Sequence, residues 1–394
     1  MFIYMLFGER LRFAFYAALG MLLSPALFFV GMLRRNTTHS PSDARILVIP
    51  IMTRVGDLVC ATPVFRALKM RYPHCRLSVL VAKNVAGIVR HNPRIDEIIV
   101  MNNPPFKGFW GRGRFFLFLY RQRFDYSIAL ANNPFGSLAA LWSAAPVRIK
   151  TVHKPRTVAE VLSDWLNNVR LEYPDGTFLQ AHYMSLLSPL GIAAGEPVKE
   201  VFTTEAGEYK AEEFFRAEGI GASDLLVGIS VSAGNAVKEW PAERFAALAD
   251  MLISEKNAKI IFIDAPSNER KIEKTLSAMK NKKNISIATN FILEELPSLM
   301  KQLTMFIAVD TGAIYVAHAL GVPLVDIIGP VEPNEQPPKD ERSVQILPPP
   351  RIRPSSFVIA RPGAFSARRD AVLSISVSVV YDVAAQLLSK IYGK

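Results

Sequence analysis

Cysteine is scarce in this chain, whose 394 residues contain only Cys60 and Cys75. Two cysteines without metal-type spacing exclude a disulfide framework and fit a reducing compartment. The 6 histidines form no ligand cluster, and no serine triad is visible. We therefore predict neither a metal site nor a cofactor.

Glycine motifs for nucleotides are missing as well. No βα turn has the Gly-x-Gly-x-x-Gly spacing of dinucleotide-binding proteins, which places an oxidoreductase low among the candidate functions. The loop SVSAGNAVKEWP, residues 230–241, also lacks the spacing of a Walker loop.

Charge is absent from residues 13–33, FAFYAALGMLLSPALFFVGML. As a helix this segment is long enough to cross roughly 30 Å of hydrocarbon. Its length, and the lack of a small-x-small cleavage site, favour a retained anchor over residues 1–36 rather than a secretory signal. Pro25 leaves both a straight span and a re-entrant helix open. Arg45 and Arg54 on the downstream side favour a cytoplasmic body.

The net charge of the chain is +11, which suits either nucleic acid or an anionic membrane surface. One basic stretch, FKGFWGRGRFFLFLYRQRF at residues 106–124, interleaves aromatic and basic side chains. That composition suits lipid headgroups. Its helical spacing suits a core helix equally well.

Strand-like apolar runs alternate with helical segments in two separate series. The first follows a polar linker and has strands at 45–51, 76–82, 95–101 and 124–130; the second has strands at 225–231, 258–264, 285–289, 305–310 and 323–329. Alternation of this kind predicts parallel sheets with right-handed crossovers. We predict an α/β protein with two Rossmann-like lobes, at 44–205 and 206–375, a cleft between them, and a C-terminal helix at 376–394.

Three unusual loops follow predicted strands, where open parallel sheets bind ligands. The first is TRVGDLVCATP, residues 53–63. Gly56 permits a sharp turn, and Asp57 stands at the entry to a helix predicted over residues 61–73. Asp57 fits a helix N-cap or a group facing the cleft. If the helix begins at Thr62 with Pro63 in its first turn, Asp57 has no capping role.

The second loop contains Ser232, Gly234 and Asn235, small residues that can bring backbone amides close to an anion. Lys238 adds a mobile positive charge. An ordinary loop with a solvated lysine explains the same residues. Trp240 then anchors the helix that begins near Pro241.

In the third loop a buried strand ends at Asp310, and Thr311 and Gly312 begin a helix. The free amides of its first turn favour an anion, although a simple Asp or Thr cap accounts for the same sequence. His318 on that helix is expected to be a packing residue, and Glu332 in the turn GPVEP faces either a sugar or water.

The segments VGDLVCATPVFRALKMRYP, SAGNAVKEWPAERFAALAD and FIAVDTGAIYVAHALGVPLVDIIGPVEP together resemble glycosyltransferase family 9, the ADP-heptose:lipopolysaccharide heptosyltransferases and their relatives. The resemblance covers residues 45–392. It implies a GT-B fold with an acceptor-binding N-lobe and a donor-binding C-lobe. It also implies metal-independent, inverting transfer of a sugar.

The resemblance implies a role for each motif. Asp57 corresponds to the general base, with Arg54 and Gly56 beside it toward the acceptor. Lys238 corresponds to the diphosphate-binding lysine. The donor site is then expected to comprise Ser232, Gly234, Lys238, Asp310, Thr311 and Gly312. The implied partners are a nucleotide sugar such as ADP-heptose, a lipid-linked glycan such as lipopolysaccharide core, and membrane lipids, with no nucleic acid.

The chain also departs from the family. Tyr315 stands where many heptosyltransferases have His, and the loop DAPSNER, residues 264–270, lacks the usual glycine-rich form. A non-catalytic membrane scaffold for envelope glycan assembly is therefore the alternative. The N-terminal apolar segment, unusual in the family, implies a lipid-linked acceptor, because anchoring raises the effective concentration of enzyme against such a substrate. The implied location is a bacterial inner membrane, with both lobes on the cytoplasmic side.

Overall fold

A computed structural model describes separate positions between Phe15 and Phe29, and then residues 43–101, 103–154, 158–358 and 369–393. Most of the membrane helix predicted over residues 13–33 therefore lies outside the described residues. Among the residues that are described, no helix combines the length and the apolar character that a bilayer span needs.

The chain divides into two compact units. The first unit comprises Met1–Ala86 and Pro93–Pro197, and the second comprises Gly87–Asn92 and Val198–Lys394. This division lies upstream of the boundary predicted at residue 205, and it places the C-terminal helix in the second unit.

The first unit is a six-stranded sheet whose strand pairs are all parallel, with strand order β3-β2-β1-β4-β5-β6. Its strands are β1 Arg45–Ile49, β2 Arg76–Val81, β3 Glu97–Val100, β4 Tyr126–Ala129, β5 Val147–Val152 and β6 Val169–Glu172. Its helices are α1 Val55–Arg71, α2 Gly108–Arg121, α3 Pro134–Trp142, α4 Val158–Asp164 and α5 Leu179–Ser185. Short 3₁₀ turns occur at Ala86–Val89, Pro104–Phe106 and Ser188–Leu190.

The second unit repeats this plan with strand order β12-β11-β10-β7-β8-β9, again parallel throughout. Its strands are β7 Leu226–Ser230, β8 Lys259–Ile263, β9 Ile285–Ala288, β10 Met305–Val309, β11 Leu324–Ile327 and β12 Ser343–Ile346. Its helices are α6 Glu205–Ala217, α7 Ala242–Lys256, α8 Glu269–Ala278, α9 Leu296–Met300, α10 Gly312–Ala319, α11 Asp370–Leu373 and α12 Val377–Tyr392. Two Rossmann-like lobes are thus confirmed.

Burial on both faces explains the composition of the central strands. Strands β7 and β10 are buried along their whole length, as crossover helices on the two sides of a parallel sheet require. The C-terminal helix α12 packs against α7 and β11, with Leu388 in the core of the second unit. This helix lies close to its predicted position.

The helix after β1 begins earlier than the sequence indicated. Helix α1 starts at Val55, with Arg54 as its N-cap residue, and contains Pro63 in its interior. Proline has no N–H to donate to the carbonyl four residues earlier, that of Val59. The Thr62 hydroxyl donates a hydrogen bond to that carbonyl over 2.7 Å instead. This hydrogen bond compensates for the one that proline cannot make, so the helix continues through a proline that we predicted in its first turn.

Strands β5, β6 and β12 escaped prediction. Strand β5 reads VRIKTV, and its two basic side chains, Arg148 and Lys150, interrupt the apolar pattern. Both are buried: the Arg148 guanidinium donates to the carbonyls of Ala145 and Leu166, and Lys150 lies 2.6 Å from the Asp164 carboxylate. The sequence pattern does not show that these two basic side chains have buried partners, so β5 did not resemble a strand.

The aromatic and basic stretch at residues 106–124 contains α2, which has one buried face and one exposed face. Phe115, Phe116 and Leu119 on α2 are buried in the core of the first unit, whereas Trp110 is 79% exposed and Leu117 is 45% exposed. The helix therefore contributes to the core with one face and presents apolar side chains to solvent with the other.

We expect Gly111→Ala to destabilise the first unit. A Cβ at position 111 lies 2.6 Å from the backbone carbonyl carbon of Phe106, so the Pro104–Phe106 turn has to move. Overpacking of this kind costs about 1–3 kcal/mol, partly offset by the better helix propensity of alanine. The measurement is the urea midpoint of unfolding. Gly195→Ala is the control, because a Cβ there meets no described atom within 4 Å; equal midpoints for the two variants contradict the prediction.

Candidate functional site

Each sheet reverses its strand order at one point, and ligands in such folds bind outside the strand ends there. In the second unit the reversal falls between β7 and β10, which are hydrogen-bonded neighbours. The loop after β7 carries Lys238, and the loop after β10 carries Asp310. The topology therefore brings together two residues that are far apart in sequence.

Lys238 and Asp310 form an ion pair, with 2.6 Å between the lysine Nζ and the Asp310 Oδ2. The lysine side chain is 19% exposed and the aspartate 7%. The other carboxylate oxygen accepts a hydrogen bond of 2.7 Å from the Tyr315 hydroxyl. The aspartate is thus fixed from two sides, while the ammonium group keeps access to solvent and to an incoming anion.

Thr311 and Gly312 begin helix α10, as predicted. Thr311 occupies the N-cap position in extended conformation, yet its side chain makes no capping hydrogen bond within the described part of the chain. The simple Thr cap is therefore not what the structure contains. First-turn amides of a helix carry partial positive charge and suit an anion such as phosphate.

Ser232 belongs to a hydrogen-bond network at the ends of β7 and β8. Its hydroxyl donates to the Asp264 carboxylate over 2.6 Å and accepts from the Asn268 side-chain amide over 3.0 Å. Asn268 also donates to Asp264 over 2.7 Å. Asp264 and Asn268 come from the loop that lacks the family's glycine-rich form, and no sequence pattern indicated their link to Ser232.

Gly234 lies in open space. A Cβ built on it meets no described atom within 4 Å, and its φ angle is outside the left-handed region. The protein itself therefore does not require glycine here. The short turn Ala236–Lys238 follows, capped by the Asn235 side chain, which accepts from the Val237 amide over 3.1 Å. That cap orients Lys238 toward Asp310.

Asp326 on β11 is a further acidic side chain near this site, and sequence analysis did not identify it. It is fully buried, and neither carboxylate oxygen has a hydrogen-bond partner among the described residues. Burial raises the pKa of Asp326 well above its usual value, and the charge of Asp310 raises it further, against the opposing effect of Lys238. Asp326 therefore keeps its proton to higher pH than an ordinary aspartate does.

Asp57 occupies the first turn of α1 in the first unit and is 4% exposed. It is not the N-cap, so the capping interpretation was wrong: Arg54 holds that position. The Arg54 guanidinium is 67% exposed and lies 3.9 Å from the Asp57 carboxylate. Gly56 is buried between them in the same turn. A carboxylate here is stabilised by the positive end of the helix dipole.

Tyr183 on α5 lies close enough to Asp57 to feel its charge. Its hydroxyl is buried and has no hydrogen-bond partner among the residues described here. Burial raises the pKa of Tyr183 well above its usual value, and the Asp57 carboxylate adds to the shift. On the same helix, the Gln180 amide donates to the Cys60 sulfur over 3.0 Å. Helices α1 and α5 are in contact, so this polar layer surrounds Asp57.

Three other residues have structural contacts. His318 lies 2.8 Å from Asp340 and 3.2 Å from Lys199 through its two ring nitrogens, in agreement with a packing role. Trp240 is buried against Phe245 in the core. Glu332 accepts hydrogen bonds from Asn334 within its own turn, at 3.2 and 3.0 Å.

Comparison with known proteins now decides the family. The sequence profile described as glycosyltransferase family 9 (heptosyltransferase) matches residues 112–354, more than half of the chain. The chain belongs to glycosyltransferase family 9. It is 25% identical over 309 residues to lipooligosaccharide heptosyltransferase 2 of Haemophilus influenzae, covering 74% of this chain and 85% of that protein. It is 24% identical over 301 residues to lipopolysaccharide heptosyltransferase 2 of Escherichia coli K12, covering 73% and 84%.

Solved structures of this family support the fold. A family 9 glycosyl transferase from Veillonella parvula superposes with a TM-score of 0.73 at 22% identity, over 89% of this chain and 99% of that one. ADP-heptose lps heptosyltransferase II of E. coli gives a TM-score of 0.67 at 18% identity, over 88% and 99%. The two parallel-sheet units therefore form a GT-B-like fold, and the chain is a family 9 glycosyltransferase.

We expect the variant Asp326→Asn to change how stability depends on pH. The folded carboxyl keeps its proton to higher pH than the unfolded one, so the folded state binds more protons. Stability of the unmodified chain therefore falls as pH rises from about 3.8 through the raised pKa, with a limiting slope of roughly 1.4 kcal/mol per pH unit. The amide cannot ionise and lacks this slope.

The measurement is the difference in melting temperature between variant and unmodified chain from pH 5 to pH 8. We expect the melting temperature of the variant to rise relative to that of the unmodified chain as the pH rises. The control Asp224→Asn removes a carboxylate whose pKa is lowered by its hydrogen bond with Lys259. That carboxylate is ionised in the folded and the unfolded chain from pH 5 to pH 8, so its loss adds no pH dependence in this range. Parallel pH profiles for Asp326→Asn and the unmodified chain contradict a raised pKa at Asp326.

Proposed function

We propose that this glycosyltransferase moves a heptose or a related sugar from a nucleotide sugar such as ADP-heptose to a lipopolysaccharide core or another lipid-linked glycan. The supporting observation is the Lys238–Asp310 ion pair at the strand-order reversal of the second unit, beside the first turn of α10. The relatives are lipooligosaccharide and lipopolysaccharide heptosyltransferases. The similar E. coli heptosyltransferase WaaC has been solved with ADP and with ADP-2-deoxy-2-fluoro heptose.

The second unit binds the donor in this proposal. A diphosphate carries more negative charge than one carboxylate, so it competes with Asp310 for the Lys238 ammonium. The amides of Thr311 and Gly312 add hydrogen bonds directed by the helix dipole. Charge builds on the diphosphate as the bond to the sugar breaks, and these groups stabilise that charge without a metal ion. Asp310, fixed by Tyr315, remains to accept hydrogen bonds from the sugar.

Asp57 is the general base of the proposed reaction. The acceptor hydroxyl attacks the anomeric carbon from the side opposite the leaving diphosphate, so the configuration inverts. Its proton passes to the Asp57 carboxylate late in the step. A carboxylate is a weak base toward an alcohol, and the acceptor hydroxyl becomes acidic enough only as its oxygen loses electron density to the new bond. Arg54, exposed beside Asp57, suits an anionic acceptor. The proposal requires the donor bound by the second unit to reach the acceptor bound by the first unit.

We further propose a location on the cytoplasmic side of a bacterial inner membrane, with the apolar N-terminal segment as the membrane attachment. The acceptor is then confined to the surface that holds the enzyme.

The decisive experiment is a thermal-shift screen of the purified chain against ADP-heptose, UDP-sugars and GDP-sugars, followed by a transfer assay with the sugar that binds. A ligand that selects the folded state raises the melting temperature by mass action. We expect stabilisation by an ADP-linked sugar and transfer to a lipid-linked acceptor. Stabilisation without any transfer supports a non-catalytic scaffold, and no stabilisation by any nucleotide sugar overturns the proposal.

The variant Asp57→Asn tests the base. It keeps the shape of the side chain and removes its basicity, so we expect kcat to fall about 10²- to 10⁴-fold with nearly unchanged donor affinity. Glu205→Gln, an acid-to-amide change in the first turn of α6, serves as the control. Full turnover by the Asp57 variant excludes it as the base.

The variant Lys238→Ala tests the donor site. Loss of a charge-assisted hydrogen bond to the diphosphate is expected to weaken donor binding about 10- to 100-fold. The control is Lys271→Ala, which removes another lysine paired with a carboxylate, Glu239, on the surface of the same unit. Isothermal calorimetry gives the Kd for each. Equal donor affinity in the two variants contradicts a phosphate-binding role for Lys238.

A further inference from the structure

The first unit has an unusual concentration of exposed apolar side chains. Half of the large apolar side chains that are exposed among the described residues lie on the N-terminal segment (the described helical positions between Phe15 and Phe29), on α2, and on α4 with its final turn. They are Phe15, Leu22, Leu23, Phe29, Trp110, Leu117, Val158, Val161, Leu162 and Trp165. Single exposed apolar residues need no explanation, whereas a contiguous patch marks an interaction surface.

Helix α4 is the clearest sign, because its amphipathic pattern is inverted. Its exposed side chains recur at the i, i+3, i+4, i+7 spacing that normally faces a protein core; they are Val158, Val161, Leu162 and Trp165. The polar side chains of Ser163 and Asp164 point inward instead, where both bind the buried Lys150 ammonium at 3.2 and 2.6 Å. A buried ion pair therefore holds the apolar stripe toward the outside.

The N-terminal segment lies along the same side of this unit. Phe15 contacts the Phe109 ring, with 5.0 Å between centroids. Gly20 faces helix α3: a Cβ built on it lies 3.1 Å from a Leu141 methyl and 3.1 Å from the Trp142 indole nitrogen. Helices α2 and α3 are in contact, as are α3 and α4. The exposed stripes therefore lie on adjacent elements, and we call the surface that they form together the docking face.

The charge around this face identifies its partner. Residues 101–124 contain no acidic side chain, and Lys107, Arg114 and Arg121 are exposed there. At the other side of the face, Arg170 lies over the Trp165 ring, 5.4 Å from its centroid. Tryptophan beside arginine and lysine around an apolar area is the composition of proteins seated at a bilayer interface.

We propose that the docking face seats the first unit on an anionic lipid bilayer, with the N-terminal segment lying along the membrane surface and Trp110 and Trp165 inserted at headgroup depth. The apolar side chains enter the acyl boundary, and Lys107, Arg114 and Arg121 bind lipid phosphates. Because one side of the N-terminal segment packs on α3, the segment acts as part of this face. The inference concerns a surface distinct from the donor site and does not depend on the sugar transferred.

Flotation of the full-length chain with phosphatidylcholine vesicles, with and without 25% phosphatidylglycerol, tests the proposal. We expect Trp110→Ala and Trp165→Ala each to lower the partition coefficient about tenfold, since each removes a large apolar side chain from the interface. Tyr209→Ala, which removes another exposed aromatic side chain, on α6, is the control and leaves partitioning unchanged. Lys107→Gln with Arg114→Gln lowers the preference for the anionic lipid and the sensitivity to salt.

Unchanged flotation of the tryptophan variants overturns the proposal. So does a lipid-free dimer that dissociates in these variants, measured by light scattering, because the face then joins two copies of the chain. Donor affinity and turnover on a detergent-solubilised acceptor stay unchanged in the variants, so failure of this inference is distinguishable from failure of the transferase assignment.

The orientation of the N-terminal segment has its own readout. Labels at Phe15→Cys and Phe29→Cys are about 21 Å apart along a helix axis. Native Cys60 and Cys75 are buried and leave the label specific. Quenching by lipids brominated at shallow and deep positions is expected to place both labels at the same shallow depth. Depths that differ by about the helix length show a bilayer span and overturn the surface placement.

Discussion

The ion pair between Lys238 and Asp310 is the interaction on which the proposed donor site depends, and sheet topology produces it. Strands β7 and β10 are separated by two complete βα units in sequence, yet they are neighbours at the strand-order reversal. Each strand is followed by a loop, so one loop supplies the cation and the other the anion. Tyr315 holds the aspartate from α10, which leaves the lysine as the mobile partner. In the proposed mechanism, the incoming diphosphate therefore displaces a single contact of Lys238.

The same sheet contains an acid, Asp326, whose carboxylate oxygens have no hydrogen-bond partner among the described residues. A buried ionised carboxylate at Asp326 would place a second negative charge near Asp310, and its desolvation would be unfavourable. Protonation removes both difficulties. A protonated Asp326 leaves the Lys238–Asp310 pair close to electrically balanced, so in the proposed mechanism Asp326 adds no repulsion toward the diphosphate. Residue 326 thus affects the electrostatics of the site from within the sheet.

Sequence patterns identified the candidate site residues more readily than some of the fold elements around them. Loops at strand ends carry their chemistry locally, so Asp57, Lys238 and Asp310 stood out as candidates after apolar runs, and their roles stay predictions from the family resemblance. Strand β5 did not stand out, because Arg148 and Lys150 resemble exposed residues until their buried partners are known. The start of α1 was missed for a related reason. The Thr62 hydroxyl occupies the carbonyl that Pro63 leaves free, and spacing cannot show that compensation.

The burial of Lys150 links the fold of the first unit to its surface. A fully buried ion pair is rarely the most stable choice for a core, because desolvation offsets much of the attraction between the charges. Here the pair with Asp164 serves geometry: it fixes the polar side of α4 inward and forces the apolar stripe outward. An apolar residue in place of Lys150 would leave Asp164 buried without its partner. A rotation of α4 that buries the apolar stripe in the core would then be favourable. The orientation of α4 is therefore set by contacts inside the unit, and the docking face depends on the buried charge of Lys150.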